Sequence, residues 1–87
     1  MPMNNWTEID NELHKTFVFS SFKAAINWMV KASVEIEKQQ HHPKWTNVYN
    51  KVHVSLTTHD EGNTVTSKDW KLARALDLIE RKSTLQK

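Results

Sequence analysis

The chain of 87 residues has no cysteine, which excludes disulfide bonds, thiolate metal sites and a cysteine nucleophile. Its apolar residues never form a run near the ~20 residues that span a bilayer, and its N-terminus lacks a signal-peptide core. We therefore expect a cytoplasmic protein without membrane contact. Twelve basic residues are scattered among ten acidic ones with no basic run, so we expect no nucleic-acid partner.

The length suits one domain over residues 1–87, with no room for a second core. A chain this short buries only about 60% of its unfolded surface, which favours association of subunits. Four tryptophans, three phenylalanines and one tyrosine are a heavy aromatic load for this size. Some of this apolar area is expected at an interface, in a homodimer or a homotetramer.

The apolar pattern predicts an α+β domain in which two main helices cover one face of a four-stranded antiparallel sheet. Alternating and consecutive apolar residues predict the strands, and spacing of three and four predicts the helices. The predicted order β-β-α-β-β-α consists of strands 6–9 and 13–19, a helix 22–39, strands 45–49 and 52–58, and a helix from about 67 to 81. Asp10-Asn11 is the predicted turn between the first two strands, and Thr66 followed three residues later by Asp69 resembles a capping box at the start of the last helix.

The first helix has one core-facing stripe in this prediction, with Ser20 or Ser21 as its N-cap. Trp28 and Val30 lie off the centre of the stripe and are expected at a partner subunit. Pro43 disfavours helical geometry at the residue before it, so the helix should end near position 40. The predicted stripe consists of Phe22, Ala25, Ile26, Met29, Ala32 or Ser33, and Ile36.

The two strands after the helix form a predicted hairpin that turns on Asn50-Lys51, with Tyr49 opposite Val52. This register places Trp45 opposite Leu56 and, by extension, His42 opposite His59. Directly paired residues point to the same side of a sheet, so the two imidazoles should meet. Parity places Trp45, Tyr49, Val52, Val54 and Leu56 on the helix side, and His42, Val48, His53, Thr57 and His59 opposite.

Three histidines therefore stand out: His41 and His42 at the helix exit, and His59 beyond the hairpin. Imidazole is the side chain suited to moving protons at neutral pH. An isolated His-His-Pro is more often a surface loop, and three histidines also suit a zinc site. No carboxylate pattern completes a common metal motif, so no metal is expected. His14 and His53 are expected to be ordinary surface or interface residues.

With these residues in place, the chain resembles the pterin-4a-carbinolamine dehydratase family over residues 6–81. Eukaryotic members of that family also serve as the dimerisation cofactor of a homeodomain transcription factor. The matching residues are Trp6, Phe17–Phe19, Glu37, His41-His42-Pro43, Trp45, Asn47–Val52, Leu56, Thr58-His59, Asp69 and Leu72-Ala73.

The resemblance implies an enzyme that removes water from 4a-hydroxytetrahydropterin to give quinonoid dihydropterin, without metal or organic cofactor. This reaction recycles the tetrahydrobiopterin of an aromatic amino acid hydroxylase. By the motif match His41, His42 and His59 are the catalytic trio, with His41 and His59 near the leaving hydroxyl and His42 orienting the pterin. The resemblance further suggests that the substrate contacts Trp6, Glu37, Thr57 and Thr58.

Two other interpretations stay open at this point. The chain could be a small protein-interaction module, or a transcriptional coactivator, with weak or absent catalysis. Simple packing also explains Trp6 nearly as well as a pterin contact does.

Overall fold

The computed structural model of the chain describes residues 6–85, with side chains to residue 82. A short 3-10 turn, His59–Glu61, lies between the last strand and the last helix. The main elements in chain order are β1 (Thr7–Ile9), β2 (Glu12–Val18), α1 (Phe22–Gln39), β3 (Lys44–Val48), β4 (Lys51–Leu56) and α2 (Ser67–Leu85).

The four strands form one antiparallel sheet in the order β1-β2-β4-β3. This confirms the predicted fold class and element order. Asp10 and Asn11 both have positive φ, and they form the two-residue turn expected between β1 and β2. Neither helix in the described part of the chain is long and apolar enough to cross a membrane.

The first helix begins and ends where the sequence indicates. The Ser21 hydroxyl accepts a hydrogen bond from the backbone N–H of Ala24 at 3.1 Å, so Ser21 rather than Ser20 is the N-cap. At the other end Gln40 adopts a left-handed conformation, and the backbone N–H of His41 reaches the carbonyl of Ile36. This geometry turns the chain sharply and directs it toward β3.

The core shows where the predicted helix stripe was wrong. Trp28 is fully buried, whereas Phe22 is half exposed. Trp28 lies three residues after Ala25 and four before Ala32, so it shares their face, and these small alanines leave room for its ring. The indole packs against the rings of Phe17, Phe19 and Trp45.

The hairpin register is also shifted from the predicted one, by two residues. Val48 pairs with Lys51 and Trp45 pairs with Val54, so the turn is Tyr49-Asn50. The Asn47 amide fixes this turn by donating to the backbone carbonyls of Tyr49 and Lys51.

A shift of two preserves which face each strand residue occupies. Val52, Val54 and Leu56 are therefore buried as predicted. Tyr49, in contrast, lies exposed in the turn with a positive φ, so its predicted place on the helix side was wrong. By extension of the observed register, His42 aligns with Thr57 rather than with His59.

Candidate active site

The site lies at one end of the sheet, where α1 ends and β4 ends. His41, His42 and Pro43 connect α1 to β3, and His59 opens the 3-10 turn that follows β4. His42 and His59 line one open cleft. The other residues that line this cleft are Glu12, Lys44, Ser55 and Thr57.

His42 is the more exposed of the first two histidines. Its Nε2 lies 3.1 Å from a carboxylate oxygen of Glu37, five residues earlier in the last turn of α1. Both side chains are more than half exposed, so an ion pair between them contributes little to stability. The carboxylate instead limits the orientations of the ring at the cleft.

His41 points elsewhere, toward the start of α2. Its Nε2 lies 2.5 Å from Oδ1 of Asp69, and an ionised carboxylate can only accept, so the ring nitrogen donates. The other carboxylate oxygen of Asp69 accepts from the Thr58 hydroxyl and from the backbone N–H of Thr66, each at 2.8 Å. Asp69 is fully buried, and all three donors compensate its removal from water.

Asp69 also explains why α2 begins where it does. Thr66 is the N-cap. Its hydroxyl accepts from the backbone N–H of Lys68 at 3.2 Å, and the backbone N–H of Thr66 donates to the Asp69 carboxylate. This reciprocal pattern is the capping box that the sequence predicts. The same carboxylate therefore caps α2 and holds the His41 ring, and the sequence gives no sign that one residue has both roles.

His59 is held by its own loop. Its Nδ1 lies 2.6 Å from the side-chain oxygen of Asn63, and a backbone bridge between Thr58 and Thr64 closes the loop. Gly62 lies in the left-handed region at φ 83°, a conformation that glycine adopts without steric cost. His59 itself is exposed at the cleft.

The structure separates the four expected substrate-contacting residues. Glu37 lies beside His42, and Thr57 lines the cleft while its hydroxyl donates to the carbonyl of Asn11. Thr58 is buried, and its hydroxyl is used by Asp69.

Trp6 lies in the core rather than at the cleft. Its ring packs edge-on against Phe17. Its indole N–H donates to Asp77 of α2, and the same carboxylate pairs with Lys15.

Three cleft residues were not expected from the sequence: Glu12, Lys44 and Ser55. Lys44 and Ser55 are partners across the β3–β4 ladder, so a correct hairpin register would have placed them together. Glu12 comes from β2, whose pairing with β4 the sequence does not specify. Asp69 had a visible signal, its capping-box position, but nothing in the sequence shows that His41 reaches it.

These elements define a small α+β domain with histidines gathered at one end of its sheet. The sequence matches the pterin 4 alpha carbinolamine dehydratase family over residues 1–79, and the chain belongs to that family.

Relatives in two bacteria support the same assignment. The chain is 46% identical over 78 residues to a protein of Christiangramia forsetii, covering 88% of this chain and 79% of the relative. It is 46% identical over 77 residues to a protein of Opitutus terrae, with the same coverage. Both relatives bear the name "Putative pterin-4-alpha-carbinolamine dehydratase".

Two solved structures share the fold. The crystal structure of a transcriptional coactivator/pterin dehydratase from Brucella melitensis superposes with a TM-score of 0.84 at 39% identity, covering 88% of this chain and 83% of that one. A pterin dehydratase-like protein identified as a RuBisCO assembly factor in the alpha-carboxysome gives a TM-score of 0.75 at 19% identity, covering 88% and 90%. The second likeness concerns the fold alone.

Proposed function

We propose that the chain is a 4a-hydroxytetrahydrobiopterin dehydratase, a hydro-lyase that acts in tetrahydrobiopterin recycling. The observation that carries the proposal is the cleft that His42 and His59 share. His41 is connected to the same segment, because the Asp69 carboxylate that accepts from His41 also accepts from Thr58, the residue before His59. Family membership supports the same reaction.

The reaction needs two proton transfers. The bond between C4a and the hydroxyl oxygen breaks, and the departing oxygen takes a proton to leave as water. A ring nitrogen loses its proton to a base, and its electron pair forms the new double bond of the quinonoid product. One proton is donated and one is accepted, so no oxidant or reductant is required.

We assign these transfers to His41 and His59. His41 is not among the residues that line the cleft, so this assignment requires its Nδ1, the nitrogen that is not bonded to Asp69, to reach the substrate. His41 resembles other acid/base imidazoles that a buried carboxylate fixes in one tautomer. His59 lies exposed at the cleft with its Nδ1 bonded to Asn63. Each transfer of this kind is typically worth about 10²–10⁴ in rate.

We assign binding and orientation of the pterin to His42. The ring is open to solvent and is restrained by Glu37, which suits a group that must make room for a flat ligand. Thr57, Lys44 and Glu12 supply further polar groups around the same cleft.

The test is dehydration of chemically generated carbinolamine, followed by ultraviolet absorbance. His41→Ala and His59→Ala should each lower kcat by about 10²–10⁴, while His42→Ala should raise KM more than it lowers kcat. Lys31→Ala on the exposed side of α1 is the matched control and should behave as wild type. Failure of the wild-type chain to exceed the spontaneous rate would refute the proposal.

A second candidate is a protein-interaction role, and an exposed apolar row on α1 favours it. Phe22, Val30 and Val34 are 50%, 61% and 69% exposed, and their spacing of eight and four residues places them along one ridge of the helix. We propose that this row contacts another copy of the chain in a homodimer or homotetramer. Light scattering on Val34→Lys should show a smaller assembly; an unchanged mass would contradict this.

A further inference from the structure

A pair of histidines outside the catalytic trio lies on the sheet face that points away from the helices. His14 is on β2 and His53 is on β4, the two central strands. His14 pairs with Ser55 and His53 pairs with Thr16, so the two histidines are diagonal neighbours across the ladder. Their rings are 5.4 Å apart with a tilt of 32°, and His14 Nδ1 lies 3.2 Å from His53 Nε2.

The outer nitrogen of each ring already has a partner. His14 Nε2 lies 3.2 Å from a carboxylate oxygen of Glu12, and a carboxylate requires a donor there. His53 Nδ1 lies 2.9 Å from the hydroxyl of Thr16, which accepts when the ring donates. With both outer nitrogens protonated in the neutral rings, the two inner nitrogens, His14 Nδ1 and His53 Nε2, each keep a lone pair and lie 3.2 Å apart.

The distance between these two nitrogens matches the distance between neighbouring ligands in a metal site. Zn²⁺ binds imidazole nitrogen at about 2.0–2.1 Å with tetrahedral geometry, so two neighbouring ligand nitrogens lie roughly 3.3 Å apart. The observed separation of 3.2 Å is close to this value. A carboxylate that accepts from the far nitrogen of a ligand histidine is the usual outer support of such sites, and Glu12 occupies that place.

We propose that His14 and His53 bind a divalent transition-metal ion such as Zn²⁺ or Cu²⁺. Among the residues that the structure describes, no group of three His, Cys, Asp or Glu side chains has metal-binding geometry. The ion is therefore held by two imidazoles, with the Ser55 hydroxyl, 3.1 Å from His14 Nδ1, and water completing its shell. Imidazole pairs favour Cu²⁺ over Zn²⁺ and Ni²⁺.

The competing explanation for the short distance is a single proton shared between the two rings. A shared proton and a metal ion make opposite predictions for titration with Zn²⁺. The histidines of the proposed active site could also bind added Zn²⁺, and Glu12 and Ser55 line the cleft of His42 and His59 as well. The experiment must therefore separate the two groups of imidazoles.

Zn²⁺ is titrated into the full chain at neutral pH, free of any histidine tag, with calorimetry and imidazole ¹⁵N NMR as readouts. We expect one ion per chain, with shifts at His14 Nδ1 and His53 Nε2. His14→Phe should weaken binding at least tenfold, and Glu12→Gln should weaken it roughly 10–100-fold. His42→Phe, which removes an imidazole from the cleft, is the matched control and should bind as wild type.

His53→Phe provides a second test should His14→Phe unfold. Three outcomes would overturn the proposal: no binding at millimolar Zn²⁺, undiminished binding by both His14→Phe and His53→Phe, or shifts confined to His41, His42 and His59. Each outcome leaves the proposed dehydratase untouched, because the carbinolamine assay does not depend on this pair.

Discussion

Replacement of Asp69 by asparagine tests the link between folding and catalysis most directly. The carboxylate accepts three hydrogen bonds in a fully buried position, from His41, Thr58 and the backbone of Thr66. Bonds to a charged group are worth about 1.5–3 kcal/mol each, against about 1 kcal/mol for neutral ones. A negative charge in the first turn of α2 adds roughly 0.3–1 kcal/mol. Asp69→Asn should therefore lower the free energy of unfolding by about 2–7 kcal/mol.

The catalytic effect follows from the same atoms. If the new amide keeps its oxygen toward Thr58 and Thr66, its NH₂ group faces His41 Nε2, which must then accept instead of donate. The proton moves to the other ring nitrogen, and kcat should fall by about 10²–10⁴.

Urea unfolding measures the change in stability, and imidazole ¹⁵N NMR identifies the tautomer of His41. The carbinolamine assay measures kcat under conditions where circular dichroism shows that the chain is folded. Asp60→Asn, at an exposed position in the 3-10 turn, is the matched control and should stay within about 0.5 kcal/mol of wild type. A folded Asp69→Asn chain with wild-type kcat would refute the assigned role of His41.

Two further substitutions test the fold. Trp28→Ala should lower the free energy of unfolding by about 3–5 kcal/mol, because the ring is fully buried against three aromatic neighbours. Trp28→Phe should lower it less, since this change also removes a buried indole N–H that has no hydrogen-bond partner. Equal losses in urea unfolding would contradict that account. Ser21→Ala should lower the free energy of unfolding by about 0.5–2 kcal/mol through loss of the helix cap, whereas Ser20→Ala should leave it unchanged. A larger loss for Ser20→Ala than for Ser21→Ala would show that the cap is misassigned.

The candidate site was only partly predictable. His42 and His59 line one cleft, but they are not opposite each other in the register as predicted, because the hairpin turns one residue earlier than expected. The expected substrate contacts of Trp6 and Thr58 came from family resemblance. Both side chains are buried in the structure and bonded to carboxylates of α2.

Local patterns in the sequence determined the element order, the limits of α1, the turn at Asp10-Asn11 and the capping box at Thr66. Each of these depends on residues within a few positions of one another, where spacing and side-chain chemistry suffice. Only the tertiary structure decided that Asp69 reaches His41 and that His14 meets His53. Those contacts join residues 28 and 39 positions apart, and they depend on how α2 packs beside α1 and on how β2 pairs with β4, which no local pattern specifies.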